Sequence, residues 1–330
     1  MACKQQNKKY YTQDVGKRLF QGFFMGLSDL IPGYSGGTTL TLFNAYDSLI
    51  SNCKGILKPQ AGIKRYEHLL WVLPFLLVWA VTFIALHFAV SEIKDANFLD
   101  VLTVLFASFS LGCVPIFCIV NQPKIFRKQN WKNQIAFGLG FLIILIAALV
   151  IFFLEFSKDR NDFQDDNSIL NLFKNHPGRI VSFFLSGFLG GFFMIIPGIS
   201  GSMIVYLFNE YWTVNFLITN SLKDPFANPN IAFLGLFGLL AICGAICSIL
   251  VSSYLMKWNR ELFYAFAFGM VASSFLAVLL IAPRKIWDPL ANQDALHISL
   301  VVVAAIVGLA INGAILYIYK RKQAKVASSF

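Results

Sequence analysis

"IPGYSGGTTLTLFNAY" occupies Ile31 to Tyr46, and it places Pro32, Gly33, Ser35, Gly36 and Gly37 inside a run otherwise suited to a membrane. Nearly the same string, "IPGISGSMIVYLFNEY", returns at Ile196 to Tyr211 with nine identities in sixteen positions. A backbone break in hydrocarbon leaves amide and carbonyl groups unpaired, so it survives only where protein buries it or where it lines a wet cavity. Pro32 cannot donate a hydrogen bond and clashes with a preceding helical turn, so a first arm should end near Leu30 or Ile31. Ser35 is a natural N-cap for a second arm running through Thr38 to Tyr46. The second copy matches it with Pro197, Gly198, Ser200, Gly201 and Ser202.

The start of each second arm would present free N–H groups, Ser and Thr hydroxyls and the positive end of a helix dipole. That combination binds anions, phosphate or carboxylate above all. The bland alternative is that these glycines only let helices pack closely. A Pro-Gly-x-Ser-Gly break repeated in register makes it the weaker reading. The loop is not a nucleotide P-loop, because the Lys-Ser/Thr ending is missing.

Working outward, a shift of 165 residues also lays Gly22, Phe23 and Gly26 on Gly187, Phe188 and Gly191, without a gap. Six apolar stretches of about twenty residues read as spanning helices: 69–90, 98–120, 133–154, 231–256, 262–281 and 298–319. The same shift pairs the first three with the last three. Two homologous halves follow, each a broken element (16–50 and 180–212) plus three helices. Repeat one covers 16–154, an external linker 155–178, repeat two 179–319, and a basic tail 320–330, all within one membrane domain. The fold class expected is an all-α polytopic membrane protein.

Composition agrees. The chain is 57% hydrophobic and 13% charged, with a mean hydropathy of +0.65. Such a chain cannot furnish the charged surface of a soluble domain of 330 residues. The excess of 27 Lys and Arg over 17 Asp and Glu could suggest nucleic-acid binding. Its placement in short segments between apolar runs suits membrane orientation instead, so no nucleic-acid partner is expected. The first apolar run, from Leu19, carries Asp29 and no small-residue cleavage site, so a retained N-terminus is expected. Cysteines 3, 53, 113, 118, 243 and 247 fall in no segment assigned outside, which argues against structural disulfides. Cys243 and Cys247 share a helical face but have no His or acidic neighbours, so no metal is expected.

Charge also bears on orientation. Segment 1–18 holds Lys4, Lys8, Lys9, Lys17 and Arg18; segment 51–68 holds Lys54, Lys58, Lys64 and Arg65. Both flanks of the first break are basic and should be cytoplasmic, so the broken element enters and leaves on one side. Each half then crosses three times, and the repeats are inverted around re-entrant hairpins. Later segments follow suit: 121–132, 257–261 and the C-terminus are basic, whereas 91–97 and 155–178 are net acidic. The scheme gives a multi-pass protein of the cell membrane with both termini in the cytoplasm. Half-helix N-termini meeting near the midplane of inverted repeats are a recurrent design of secondary transporters.

At these residues the chain resembles a known family. Its two strings, Ile-Pro-Gly-x-Ser-Gly-Gly-Thr and Ile-Pro-Gly-x-Ser-Gly-Ser, are similar to those of the bacterial polyprenyl-phosphate transporters, and the resemblance spans roughly 14–320. It implies movement of undecaprenyl phosphate from the outer to the cytoplasmic leaflet, recycling the carrier of cell-wall and surface-glycan assembly. Carried onto this sequence, it implicates Asp29, Pro32, Gly33, Ser35, Gly36, Gly37 and Thr38, then Pro197, Gly198, Ser200, Gly201 and Ser202. Tyr46 and Tyr211 fall where the family tends to place a Tyr. Asn44 and Asn209 depart from it, standing where glycine is expected after the second arm's apolar run. Both copies depart alike, which suggests an adjustment of packing.

Ionisable groups at membrane depth are functional candidates. Asp29 would repel a phosphate unless protonated or paired. It is therefore a candidate coupling group, with H+ or Na+ as the coupling ion, or a cap for amides at the break. No other cofactor is expected. Arg179 opens the second broken element and could meet a lipid phosphate with a bidentate guanidinium, or act as an interfacial anchor. Arg18 and Lys17 read as orientation charges, and Glu210 and Asp47 as arm-end residues at interfaces. His87 reads as a helix-end residue near the outer surface.

The partners expected are thus a polyprenyl-phosphate lipid and the bilayer, and a homodimer is compatible with the sequence. A rival reading is a small-anion channel or exchanger on the same architecture. A polyprenyl tail needs a surface open to lipid and a small ion does not; 34 Phe residues are compatible with such a surface. A lipid phosphatase would need a nucleophile or base near cationic groups, and no such pattern is evident, so an enzyme is not expected.

Overall fold

A computed structural model of the chain describes residues 14–29, 35–59, 63–95, 99–121, 130–155, 173–223, 230–281 and 295–327. Pro32, Gly33, residues 1–13, most of the linker 155–178 and the last residues of the tail lie outside them. The described residues are helical, without a strand. Twelve helices follow in order: α1 (Val15–Asp29), α2 (Gly36–Leu42), α3 (Tyr46–Leu57), α4 (Arg65–Asp95), α5 (Leu99–Asn121) and α6 (Trp131–Glu155). The second set is α7 (Pro177–Ile195), α8 (Gly201–Leu207), α9 (Tyr211–Lys223), α10 (Ile231–Trp258), α11 (Arg260–Ile281) and α12 (Ala295–Ala327).

Six of these are long and apolar enough to cross a membrane: α4, α6, α7, α10, α11 and α12. The protein is a multi-pass, all-helical membrane protein. Five of them are among the six stretches expected to span, the sixth expected stretch, 98–120, is the helix α5, and α7 comes from the second broken element, 180–212. At about 1.5 Å per residue, the 19 residues of α7 reach most of the way across a hydrocarbon core. Leu77, Val81, Ile146, Phe153, Val302 and Ile306 are exposed on the long helices, as a surface solvated by lipid requires.

The 165-residue shift is visible in the helices. It carries α2 onto α8 residue for residue, and Tyr46, which opens α3, onto Tyr211, which opens α9. Packing repeats in the same way. Within the halves, α1 lies on α4 and α7 on α10; between them, α5 pairs with α12 and α11 with α6. α3 touches α10 as α9 touches α4, and α5 meets its own counterpart, α11. Exchanging the halves returns each of these pairs, as a two-fold relation between the halves requires. At the self-paired contact the buried hydroxyls of Ser110 and Ser274 lie 2.7 Å apart. On the flank, buried Asn312 donates through Nδ2 to the carbonyls of Phe109 (2.8 Å) and Gly308 (3.0 Å), tying α12 to α5.

The second arm is not one helix. In both copies it stops after seven residues, turns, and restarts at the tyrosine. Asn44 and Asn209 sit in the turn with φ of 52° and 59°, the left-handed region that L-residues other than Asn, Asp and Gly resist. The Ala45 N–H reaches the Leu40 carbonyl (2.8 Å) and the Asn44 N–H the Thr41 carbonyl (3.0 Å). Glu210 to Val205 (3.0 Å) and Asn209 to Tyr206 (2.8 Å) repeat the pattern. This is a Schellman C-cap. The two asparagines therefore serve the backbone rather than packing. Asn44→Ala should destabilise by about 1–2 kcal/mol while Asn44→Gly changes little, as read by thermal unfolding in detergent. Equal melting of the Ala variant and wild type would show that the turn is not held left-handed.

Candidate anion site at the paired breaks

The two breaks meet. The Ser35 hydroxyl donates to the Ile196 carbonyl at 3.0 Å, and the Gly198 N–H donates to Thr38 Oγ1 at 2.8 Å. Each bond joins the start of one half's second arm to the other half's loop, across 161 and 160 residues of sequence. The approach is backbone to backbone: a Cβ on Gly37 would lie 2.5 Å from the Ile195 carbonyl oxygen and 2.9 Å from the Pro197 nitrogen. Gly198 has a φ of +92°, and a Cβ there would run into Met270. Of the residues singled out in the sequence, Ser35, Gly36, Gly37, Thr38, Gly198, Ser200 and Gly201 are brought together and buried, with Ser202 half-buried.

The first arm of the second copy ends at Ile195, two residues before Pro197, as the proline demands. Capping differs from expectation. Ser35 and Ser200 hold the N-cap positions with extended backbones, but neither side chain caps its helix. Ser35 is drawn to Ile196 instead, and Ser200 Oγ lies 2.6 Å from Ser202 Oγ. At α2 the capping acceptor is Asp29, whose Oδ1 takes the Gly36 N–H at 2.9 Å. Its Oδ2 accepts the indole N–H of Trp79, also at 2.9 Å. The start of α2 is therefore already capped by the protein's own carboxyl group. Under the repeat, Met194 stands where Asp29 does, so the start of α8 has no such resident.

Arg179 lies away from the breaks. Its Nε is 3.2 Å from Oε1 of fully buried Glu210, and its Nη2 donates to the Asn209 carbonyl at 3.2 Å. The guanidinium thus fastens the start of α7 to the turn between α8 and α9. Asp47 is paired with Arg260 and accepts the Tyr264 hydroxyl at 2.6 Å. Arg18 is buried, donating to the Trp71 carbonyl with its guanidinium 5.0 Å from the Trp71 ring centroid. His87, also buried, bonds the Phe83 carbonyl one turn back, which places it in the body of α4 rather than at a surface end. No group of three or more His, Cys, Asp or Glu capable of holding a metal occurs among the described residues.

At the end of the first hairpin away from the break, next to the Asn44 turn, Phe20, Phe24 and Phe43 form a mutually packed cluster with centroids 4.6–5.5 Å apart, and Phe23 packs on Phe24 at 5.4 Å. Phe20 and Phe23 are about half exposed, at 51% and 46%. An aromatic surface thus opens outward along the first arm. Trp79 was not legible as a site residue, because nothing local in the sequence marks which aromatic faces the break.

The class defined by this arrangement is a polytopic helical membrane protein whose like halves meet at paired polar breaks. A profile of undecaprenyl phosphate translocase-like proteins matches residues 25–281, and the chain belongs to that family. A curated relative, the polyprenyl-phosphate transporter of Staphylococcus aureus (strain NCTC 8325 / PS 47), is 25% identical over 269 residues. That alignment covers 81% of this chain and 87% of the relative. No solved structure matches.

Proposed function

We propose that this protein is a transporter, not an enzyme, and that it moves undecaprenyl or a related polyprenyl phosphate from the outer to the cytoplasmic leaflet of the cell membrane. The observation that carries the reading is the meeting of the two breaks, where amides, hydroxyls and a resident carboxyl group converge in a buried interior. The family and the name of the staphylococcal relative support the substrate class. Of the two helix starts, α8 is the one without an acidic side chain at the position equivalent to Asp29: its first N–H groups have no intrahelical partner, and Ser200 and Ser202 add hydroxyls. Arg179, engaged with Glu210 in this conformation, would meet the phosphate only on release. At α2 a phosphate and Asp29 compete for the same amide, so protonation of Asp29, or Na+ beside it, would couple ion binding to lipid binding. The exposed Phe20 and Phe23 give the prenyl tail a path along the lipid. In this reading the halves are inverted, with both termini cytoplasmic, as the basic flanks of the first break support.

The test is leaflet exchange of labelled polyprenyl phosphate in proteoliposomes, read with an impermeant headgroup probe. Ser200→Ala combined with Ser202→Ala should slow exchange by about a hundredfold or more, the scale of two lost hydrogen bonds to a charged group at about 1.5–3 kcal/mol each. Asp29→Asn should leave exchange measurable but remove its response to a pH or Na+ gradient. Wild-type vesicles that pass small anions and exchange no lipid would overturn the reading in favour of a channel.

A further inference from the structure

The strongest charge feature outside the breaks lies where α3 and α10 end. Lys54 Nζ donates to Ser253 Oγ at 2.8 Å, a bond between the two halves. Lys58 follows Lys54 by four residues and Lys257 follows Ser253 by four, so each shares its helix face. Lys58 and Lys257 are exposed, and Lys54 is half-buried. Partial burial, then the charges of Lys257 and Lys58, hold the Lys54 ammonium below its ordinary range. Basic residues in a last helical turn complement the helix dipole, and that accounts for one lysine per helix. It does not account for drawing the cations of two helices together against their own repulsion.

The repeat sharpens the point. The positions equivalent to Lys54, Lys58, Ser253 and Lys257 are Thr219, Lys223, Phe88 and Glu92. Thr219 is buried and bonds the carbonyls of Asn215 and Phe216 in its own helix. In a molecule whose packing is two-fold, the equivalent positions keep only one of the three lysines, as Lys223. The cluster belongs to the basic flank, the mouth that the charge pattern assigns to the cytoplasm.

We propose that Lys54, Lys58 and Lys257, with the Ser253 hydroxyl, form a phosphate-monoester site at this mouth, taking the headgroup of a phosphate-bearing lipid as it leaves the breaks. Ser253, accepting from Lys54, keeps its own proton to donate to a phosphate oxygen. The ammonium groups supply the charge that the oxygens need, and the anion relieves their repulsion. The site rests on the transport reading and makes the two ends of the path unequal.

The experiment is isothermal titration of the full-length protein in detergent with two probes, geranyl phosphate and inorganic phosphate. The double variant Lys54→Gln with Lys257→Gln should bind geranyl phosphate about tenfold more weakly than wild type, from two partly exposed charge contacts. The charge-keeping double variant, with Arg at both positions, should stay within about twofold and shows that the fold tolerates change there. Loss with both probes supports the site and adds free phosphate as a ligand. Loss with geranyl phosphate alone supports it as a lipid headgroup site. Unchanged affinity of the Gln variant for both probes overturns it. Lysine-dependent binding by a wild type that exchanges no lipid would sink the transport reading and leave the site standing. Normal lipid exchange with lysine-independent binding would sink the site alone.

Discussion

Gly37→Ala, the addition of one methyl group, is expected to bring lipid exchange down to the level of empty vesicles, whereas Gly138→Ala leaves it unchanged. The chemical change is the same; the surroundings are not. A methyl on Gly37 would sit 2.5 Å from the Ile195 carbonyl oxygen and 2.9 Å from the Pro197 nitrogen. Those atoms belong to backbone, which cannot swing aside as a side chain can. Either the breaks separate, and the Ser35–Ile196 and Gly198–Thr38 bonds go with them, or the helices behind them shift. Overpacking of this kind costs about 1–3 kcal/mol, concentrated here on the contact proposed to hold the phosphate. At Gly138 an added methyl meets nothing within 4 Å, and alanine in a helix interior should add up to about 1 kcal/mol of stability. Thermal melting alongside exchange separates the outcomes. A Gly37→Ala protein with wild-type exchange would show that the two breaks need not touch.

Arg179→Ala is the second large effect. Glu210 is fully buried while the Arg179 side chain is 18% exposed, so removing the arginine takes the cation away from a buried carboxylate. That loss should be about 3 kcal/mol, the low end for a broken buried pair, and should appear as a lowered melting temperature and poor yield. Glu210→Gln keeps a hydrogen-bonding partner and should cost about 1 kcal/mol. Adding Glu210→Gln to Arg179→Ala should recover much of the lost stability, because the buried charge is gone. A different pattern would recast the residue. If Arg179→Ala melts like wild type but exchanges no lipid, its guanidinium serves the substrate and not the turn.

The repeat, the breaks and the helical class were legible because each is written locally and twice: a Pro-Gly-x-Ser-Gly string, an apolar run, a constant offset of 165 residues. The division of the second arm was also written twice, in Asn44 and Asn209, as residues that tolerate a left-handed turn. The pairings that shape the site were not legible. Trp79 finds Asp29 across 50 residues, Arg179 finds Glu210 across 31, and Gly198 finds Thr38 across 160. Each is settled by how helices pack, which no spacing rule encodes. Ser35 shows the converse: its local role as a cap was readable, and a tertiary acceptor, the Ile196 carbonyl, overrode it.

The exchange of partners between halves bears on the molecule's ancestry. α5 packs on α12 and α6 on α11, so a single half would leave its second and third long helices without their covering surfaces. The one available source of matching surfaces is another copy of the same half. Two such copies, associated as a symmetric dimer before any linker joined them, would bury the same pairs that the fused chain buries now. The linker then ended the need for the halves to be alike, and substitutions such as Lys54 against Thr219 could accumulate on one side alone. The two halves of the present chain thus serve one another as the subunits of an obligate homodimer would.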